Sequence, residues 1–462
     1  MNLTLKQKIA YGIGAVGKDM VYALSSSYIL YYYQDIIGLN SAFVGLILMI
    51  ARIFDAFNDP IMGILVAKTH SKRFGRFRPW LFTGTVLNSF VLYAMFAAPS
   101  NSDIAGKMVF FSFTYILWGM TYTMMDIPYW SMIPAVTETP KDKEVLSIIG
   151  RTCAGVGSAL IAMSTMMLVP ILGGGNERIG FKYFALIIAL IFIIAETITC
   201  VFVKERNMER IEVSTVKQMI KALLQNDQAI IIVISIVLIN MSLFTTSNLI
   251  IYFFKYDVGG QNWYASYTLF STICGGMQIL AMMIFYPLLR KKLTTEKVFL
   301  FCMFFTILGY LILLILSVSG ITEFGLLLIP GIIVFSCNGM LSVLTTVFLT
   351  YSIDYGELKT GSREESVIFS MQTFVVKLSS AIAVFITGIG LNAVGFTGNN
   401  SDTGEKVSQS VEALMGLKLL MTIFPSIVLI LATFLFVRKF KLKDTYIQEI
   451  HLNLLKKKAS EK

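Results

Sequence analysis

Polar residues in this chain fall in short islands between long apolar runs. Stretches such as 183–203 and 229–251 supply the roughly 20 apolar residues that a helix needs to cross a bilayer. Barrel strands would instead alternate polar and apolar residues over about 10 positions, so helices are expected. The pattern predicts twelve spans, centred near 22, 54, 88, 117, 160, 192, 242, 276, 308, 336, 380 and 424. The longest polar interior segment, 205–228, divides them into two sets of six, and its Met219, Ile220 and Leu223 suggest a short amphipathic helix on the membrane surface. The chain is therefore expected to be an all-α membrane protein. Its parts are an N-terminal six-helix bundle (1–204), a cytoplasmic middle loop (205–228), a C-terminal six-helix bundle (229–440) and a basic cytoplasmic tail (441–462). The segment 396–409, FTGNNSDTGEKVSQ, reads as an outside loop rich in turn formers.

Composition narrows the class further. Only 14% of the 462 residues are charged, against about 25% in soluble proteins. The net charge of +10 does not point to nucleic acid, because the basic residues cluster in alternate short loops. Such clusters follow span two (Lys68, Lys72, Arg73, Arg76, Arg78), span six (Lys204, Arg206, Arg210, Lys217, Lys221) and span eight (Arg290, Lys291, Lys292). Others lie in the tail (Arg438, Lys439, Lys441, Lys443, and Lys456 to Lys458). Positive loops stay inside, which puts both termini in the cytoplasm of a multi-pass protein of the bacterial inner membrane. Cys153, Cys200, Cys274, Cys302 and Cys337 show neither metal-ligand spacing nor a disulfide framework. With only His70 and His451, a histidine metal centre or proton relay is not expected. The first span begins near Ile9 and contains Lys18 and Asp19, which does not fit a cleavable signal peptide.

Charged groups inside the spans carry the chemistry. Asp19, Asp55, Asp59 and Asp126, with Lys18, Arg52, Arg151 and Lys377, interrupt otherwise apolar helices. Each costs about 3 kcal/mol at the membrane centre, so together they must face one another and water in a polar cavity. In span two, Asp55, Asn58 and Asp59 occupy one arc of about 100° on a helix. Two carboxylates and an amide oxygen there suit a small hard cation, Na⁺ or H⁺. The alternative is a salt-bridge cluster with Arg52 that only joins helices. In span four, Tyr122, Thr123, Asp126 and Trp130 are spaced by three or four residues and share a face. A carboxylate beside an aromatic plane suits a sugar, whose C–H face stacks while its hydroxyls donate. Pro128 removes a backbone donor in mid-span. Lys18, Asp19 and Arg151 are candidates for further hydroxyls, although Arg151 could instead snorkel to the membrane surface. In span eleven, Thr373 and Lys377 share a face beside Gln372, and the carboxylate pair of span two is the natural partner for Lys377.

Several strings identify a resemblance. They are Y-G-x-G-A-x-G-K-D at 11–19, D-A-F-N-D-P-I-M-G at 55–63, F-G-R-F-R-P-W at 74–80, T-Y-I-L-W-G-M-T-Y-T-M-M-D-I-P-Y-W-S at 114–131, D-Y-G-E at 354–357 and S-M-Q-T-x-V-V-K at 370–377. The chain resembles the glycoside–pentoside–hexuronide:cation symporters, which have the major facilitator fold, and within them the melibiose-transporting branch. The resemblance runs from about residue 5 to 455. It implies a cation site of Asp55, Asn58, Asp59 and Thr123, with Lys377 as a coupling charge. It also implies a galactoside pocket of Lys18, Asp19, Tyr122, Asp126, Trp130 and Arg151, with Gln372, Thr373 and Val376 lining it from the other bundle. Retention of both Asp55 and Asp59 implies Na⁺ as the co-transported ion, with Li⁺ or H⁺ as further choices, and no resident cofactor. Three positions depart from the pattern. Ser342 stands in place of a tryptophan, Tyr351 in place of an acid, and Glu196 adds an acid to span six. The chain ends at Lys462, so the phosphotransferase-like domain of some lactose-transporting members is expected to be absent.

The expected activity is Na⁺-coupled uptake of an α-galactoside such as melibiose by alternating access, not enzyme catalysis. Charges at Lys141–Glu144 and Asp354–Arg363 would form and break on each cycle. The rivals are another glycoside (a β-galactoside, pentoside or glucuronide), a lipid carrier, or a membrane enzyme acting on lipid-linked sugars through paired acids. The expected partners are the glycoside, a monovalent cation and membrane lipid. A regulatory cytosolic protein at the inner face stays open.

Overall fold

The computed structural model describes residues 4–39, 41–69, 74–99, 102–205, 221, 224–259, 263–361, 363–395 and 409–460. The helices are α1 (Leu5–Tyr31), α2 (Ser41–Lys68), α3 (Arg78–Met95), α4 (Ile104–Val136), α5 (Pro140–Leu172) and α6 (Glu177–Phe202). They continue as α7 (Asp227–Tyr252), α8 (Trp263–Leu280), α9 (Thr295–Val318), α10 (Phe324–Thr360), α11 (Glu365–Ala393), α12 (Val411–Lys439) and α13 (Asp444–Ser460). Each of the twelve expected centres falls within one of α1–α12. Nine helices among the described residues are long and apolar enough to cross a membrane. Met219, Ile220 and Leu223, expected to form a surface helix, lie outside the described residues, as does 396–408 of the expected outside loop.

Local signals set the helix starts. The Thr4 hydroxyl accepts from the Gln7 amide while the Gln7 side chain accepts from the Thr4 amide, a reciprocal cap on α1. Asp103, Thr139, Asn176 and Ser410 cap α4, α5, α6 and α12 in the single-sided form. α4 runs unbroken through Pro128 and Pro134.

The chain forms two compact units, one of Met1–Ala229 with Leu349–Phe374 and Ile447–Lys462, the other of Ile230–Phe348 with Val375–Tyr446. In the first, α1 packs on α5 and α6, α3 on α4 and α6, and α2 on α4. Small residues permit the close approaches. A Cβ placed on Gly17 of α1 would lie 2.7 Å from Ala195 Cβ on α6, and one on Gly157 of α5 would lie 2.4 Å from the Val16 carbonyl. Both are shorter than real contacts allow. The start of α11 joins this unit in the same way, since a Cβ on Gly63 of α2 would fall 2.3 Å from Ser370 Oγ.

In the second unit, α9 packs on α12. Its core gathers Leu249, Phe253, Phe254, Phe270, Cys274, Leu313, Leu417 and Met421. The Thr246 hydroxyl, on α7, meets Tyr310 Oη at 3.1 Å and the Met421 carbonyl at 3.1 Å. Lys418 on α12 pairs with Asp257, just beyond α7, at 2.8 Å.

Candidate functional site

Six of the residues expected around a sugar converge in the first unit. Lys18 Nζ lies 2.7 Å from Asp126 Oδ1 and 3.0 Å from Asp19 Oδ2, and donates to Tyr122 Oη at 3.4 Å. Trp130 sits one helical turn beyond Asp126, and its indole Nε1 donates to the same Asp126 oxygen at 3.1 Å. The Arg151 guanidinium stacks 4.1 Å from the Trp130 ring centre, so it turns inward instead of snorkelling. Lys18, Tyr122, Asp126 and Trp130 are all buried. One ammonium thus serves two carboxylates on α1 and α4, while an indole and a guanidinium form an adjacent flat wall.

The floor of this cluster is a reciprocal clasp. Tyr11 Oη donates to the Tyr129 carbonyl at 3.2 Å, and Tyr129 Oη donates to the Tyr11 carbonyl at 2.7 Å. The two rings stack with centres 4.4 Å apart. Gly150 of α5 leaves the space, because a Cβ there would meet Trp130 and Tyr11 at 3.1 Å each.

The expected cation ligands form a second cluster where α2 meets α4. Thr123 Oγ1 donates to Asp59 Oδ1 at 2.9 Å and also lies 3.0 Å from the Gly119 carbonyl. One turn back on both helices, a Cβ on Gly119 would lie 2.8 Å from Asp55 Oδ1. Asp55 therefore faces Gly119 as Asp59 faces Thr123, a parallel four-residue step on each helix. Asp55, Asn58, Asp59 and Thr123 are all buried. Carboxylate and hydroxyl oxygens brought together in this way are of the kind that a hard cation takes. Arg52 lies near Asp55 but also against Tyr22 and Tyr115, so the simple cluster with Arg52 is not the whole environment.

The remaining expected residues lie on α11. Gln372 is buried, and the Thr373 hydroxyl donates to the Phe369 carbonyl at 3.2 Å. These two belong to the first unit, whereas Val376 and Lys377 belong to the second.

Sequence reasoning passed over an aromatic ladder and a helix cap. Phe111, Tyr115, Trp118 and Tyr122 run up α4 with successive ring centres 5.7, 5.8 and 5.4 Å apart, and Tyr22 of α1 joins at Tyr122. Their spacing of four, three and four residues was the available signal. Glu205 accepts from the backbone amides of Arg76, Phe77 and Arg78 at 2.7, 2.8 and 2.9 Å. Those amides open α3, where unsatisfied donors attract an anion. The carboxylate fits because Gly75 has φ +83° and no side chain, and a Cβ there would lie 2.7 Å from Glu205 Oε1.

A buried ion-pair hub links the start of α5 to the α10–α11 junction within the first unit. Lys143 pairs with Asp354, and Arg363 with Asp354, Glu357 and Glu365. Arg363 Nη2 also donates to the Pro134 carbonyl of α4 at 3.0 Å, and Arg76 reaches Glu365 at 3.5 Å. These are the segments expected to carry switching charges. Burial works against the Arg363 charge, but the Glu365, Asp354 and Glu357 carboxylates outweigh it and hold the guanidinium above its ordinary pKa.

Known proteins resemble this chain in sequence and in fold. The family described as MFS/sugar transport protein matches residues 10–444. The chain is 29% identical to the isoprimeverose transporter of Lactiplantibacillus pentosus, over 87% of this chain and 83% of that one. It is 27% identical to the putative glycoside/cation symporter YagG of Escherichia coli, over 99% and 96%. It is 26% identical to the raffinose carrier protein of Pediococcus pentosaceus, over 96% and 70%. Among solved structures, the E. coli fucose:proton symporter superposes with a TM-score of 0.65 at 14% identity, covering 93% of this chain and 98% of that one. An outward-facing bacterial homologue of ferroportin gives 0.66 at 12% identity, covering 92% and 99%. At such identities the likeness is one of fold.

Proposed function

Because the chain belongs to the MFS/sugar transport protein family, a family of membrane transporters and not enzymes, we propose that it is a cation-coupled glycoside symporter. Its preferred pair in this reading is Na⁺ and an α-galactoside such as melibiose. The observation that carries the reading is the adjacency on α4 of two clusters. Thr123 is bonded to Asp59 at 2.9 Å, and Asp126, three residues on, is paired with Lys18 at 2.7 Å.

In this reading Na⁺ is cargo, held by oxygens of Asp55, Asn58, Asp59 and Thr123. Neutralising the two carboxylates fixes α2 against α4, which sets the α4 face bearing Tyr122, Asp126 and Trp130. The sugar then stacks its apolar face on Trp130 and donates hydroxyl hydrogens to Asp126 and Asp19, while Arg151 donates to its oxygens. Each ligand tightens the other by the same factor, typically 1–3 kcal/mol of coupling. Gln372 and Thr373, on the part of α11 that belongs to the first unit, offer further polar groups to the sugar. Release of the Lys143–Asp354 and Arg363 pairs accompanies the change of access in the bacterial inner membrane, with both termini cytoplasmic.

A second reading keeps the fold and the cation but changes the sugar. The relatives are named for isoprimeverose and raffinose as well as for glycosides at large. Ser342 stands where the melibiose-transporting pattern has tryptophan, a departure from that pattern. The deciding experiment is melibiose uptake into cells lacking α-galactoside transporters, with and without Na⁺, using Asp126→Ala as control. Na⁺-stimulated accumulation that Asp126→Ala abolishes supports the first reading. Expressed protein that takes up another glycoside, and not melibiose, supports the second.

A further inference from the structure

Glu196 is a carboxyl group that the reading above does not use. It lies in the last third of α6, six residues before its end, with no solvent exposure. Neither of its oxygens receives a hydrogen bond among the described residues. The neighbouring hydroxyl, Thr199 Oγ1, lies 3.0 Å from the Ala10 carbonyl and 3.2 Å from that of Ala195, so its one hydrogen is already committed. The site exists because α1 has no side chain at Gly14. A Cβ there would fall 2.2 Å from Thr199 Oγ1 and 3.0 Å from Glu196 Oε2.

A fully buried carboxylate with no donor and no paired cation costs several kcal/mol, so such a group takes up a proton instead. The protonated acid fits the surroundings, since it can donate to Thr199 Oγ1, whose own hydrogen points to a carbonyl. The ionisable groups around it are Lys18, Asp19 and Tyr11 on α1, Tyr122, Asp126 and Tyr129 on α4, and Cys200 on its own helix. From α5, Arg151 and Cys153 face the same clusters, and from α3, Arg78 binds the Cys200 carbonyl. Lys18 is the nearby cation, and it lies one turn from Gly14 on α1, engaged with Asp19 and Asp126.

We propose that Glu196 is a proton-binding site behind the sugar pocket, and that its proton and the sugar bind cooperatively. With Glu196 neutral, the Lys18 ammonium stays on Asp19 and Asp126 and the pocket is assembled. When Glu196 gives its proton to water, a third carboxylate competes for that ammonium and draws it away from Asp126. By linkage, a sugar that binds the assembled pocket raises the affinity for the proton. The cooperativity rests on the sugar-symport reading, whereas the protonated state of Glu196 does not.

The experiment therefore has two arms on full-length protein in lipid. Without sugar, infrared spectroscopy should show the C=O stretch of a buried carboxylic acid near neutral pH. It should be lost in Glu196→Gln and displaced in Thr199→Val, which removes the acceptor oxygen without touching the acid. Spectra that superimpose for wild type and Glu196→Gln would overturn the proposal. With melibiose as probe, wild-type affinity should fall about tenfold per pH unit above the titration of that band. The affinity of Glu196→Gln should stay level. A matching fall in both proteins would overturn the coupling. Loss of melibiose binding in Glu196→Gln alone would also overturn the coupling, whereas failure of both proteins to bind would count against the choice of sugar, with the infrared result deciding Glu196 independently.

Discussion

Lys18 and Asp126, 108 residues apart in sequence, form a buried ion pair at 2.7 Å whose acidic oxygen also accepts from Trp130. The pair draws together the group that would hold hydroxyls and the ring that would stack. Removing one partner of such a pair leaves charge stranded, which costs about 3–5 kcal/mol. Lys18→Met should therefore lower thermal stability in detergent and abolish sugar binding. The double variant Lys18→Met/Asp126→Leu should regain part of that stability and still not bind. Sugar binding retained by either protein would contradict the pocket assignment.

The Thr123–Asp59 bond makes a graded prediction. Thr123→Val removes one oxygen and one hydrogen bond to a charged group, worth about 1.5 kcal/mol. The Na⁺ concentration for half-maximal stimulation of uptake should then rise about tenfold. Asp59→Asn should remove Na⁺ stimulation altogether. Unchanged Na⁺ dependence in both would contradict the cation site.

Arg363 joins the ends of three helices, with bonds to Asp354 and Glu357 on α10, Glu365 on α11 and the Pro134 carbonyl on α4. A lysine supplies one point charge in place of a planar fork. Arg363→Lys should lose about 2–4 kcal/mol of stability, read as a lower melting temperature, and Arg363→Gln should lose more. The sign of the pH effect follows from the raised arginine pKa. The stabilisation is fully present below the unfolded arginine value and is lost only as pH rises through the higher folded one. The deficit of Arg363→Gln should therefore stay constant between about pH 6 and 9.

The contact of Gly17 with Ala195 is a steric test of the α1–α6 interface. Gly17→Ala overfills a space where the two Cβ atoms would stand 2.7 Å apart, at a cost of about 1–3 kcal/mol. Ala195→Gly in the same chain should restore most of the loss, measured by thermal unfolding. No rescue would mean that the helices are held apart by something else.

The helices were legible because the bilayer imposes a minimum run of apolar residues, and every expected centre lies in a helix. The convergence of Lys18, Asp19, Asp126 and Arg151 was legible because buried charge must be compensated, so these groups had to find partners. Glu205 was harder to foresee. It caps α3 from 127 to 129 residues away, and nothing local to Arg76–Arg78 names its donor's partner. The grouping of Leu349–Phe374 with the first unit was equally hidden. It depends on ion pairs to Lys143 and Arg76 and on the Gly63–Ser370 approach, which are long-range facts. Glu196 was visible as an extra acid, but its lack of a donor emerges only once Gly14 and Thr199 are placed beside it.

The clasp between Tyr11 and Tyr129 makes α1 and α4 one lever. Each hydroxyl grips the other helix's backbone, so sliding or rolling of one helix against the other would break both bonds at once. The backbones at Lys18 and Trp130, carried on the two arms of that lever, keep their spacing as the lever moves. The wall of the pocket then moves as a block, and labels placed on the two helices near the clasp should keep a fixed separation through the whole cycle.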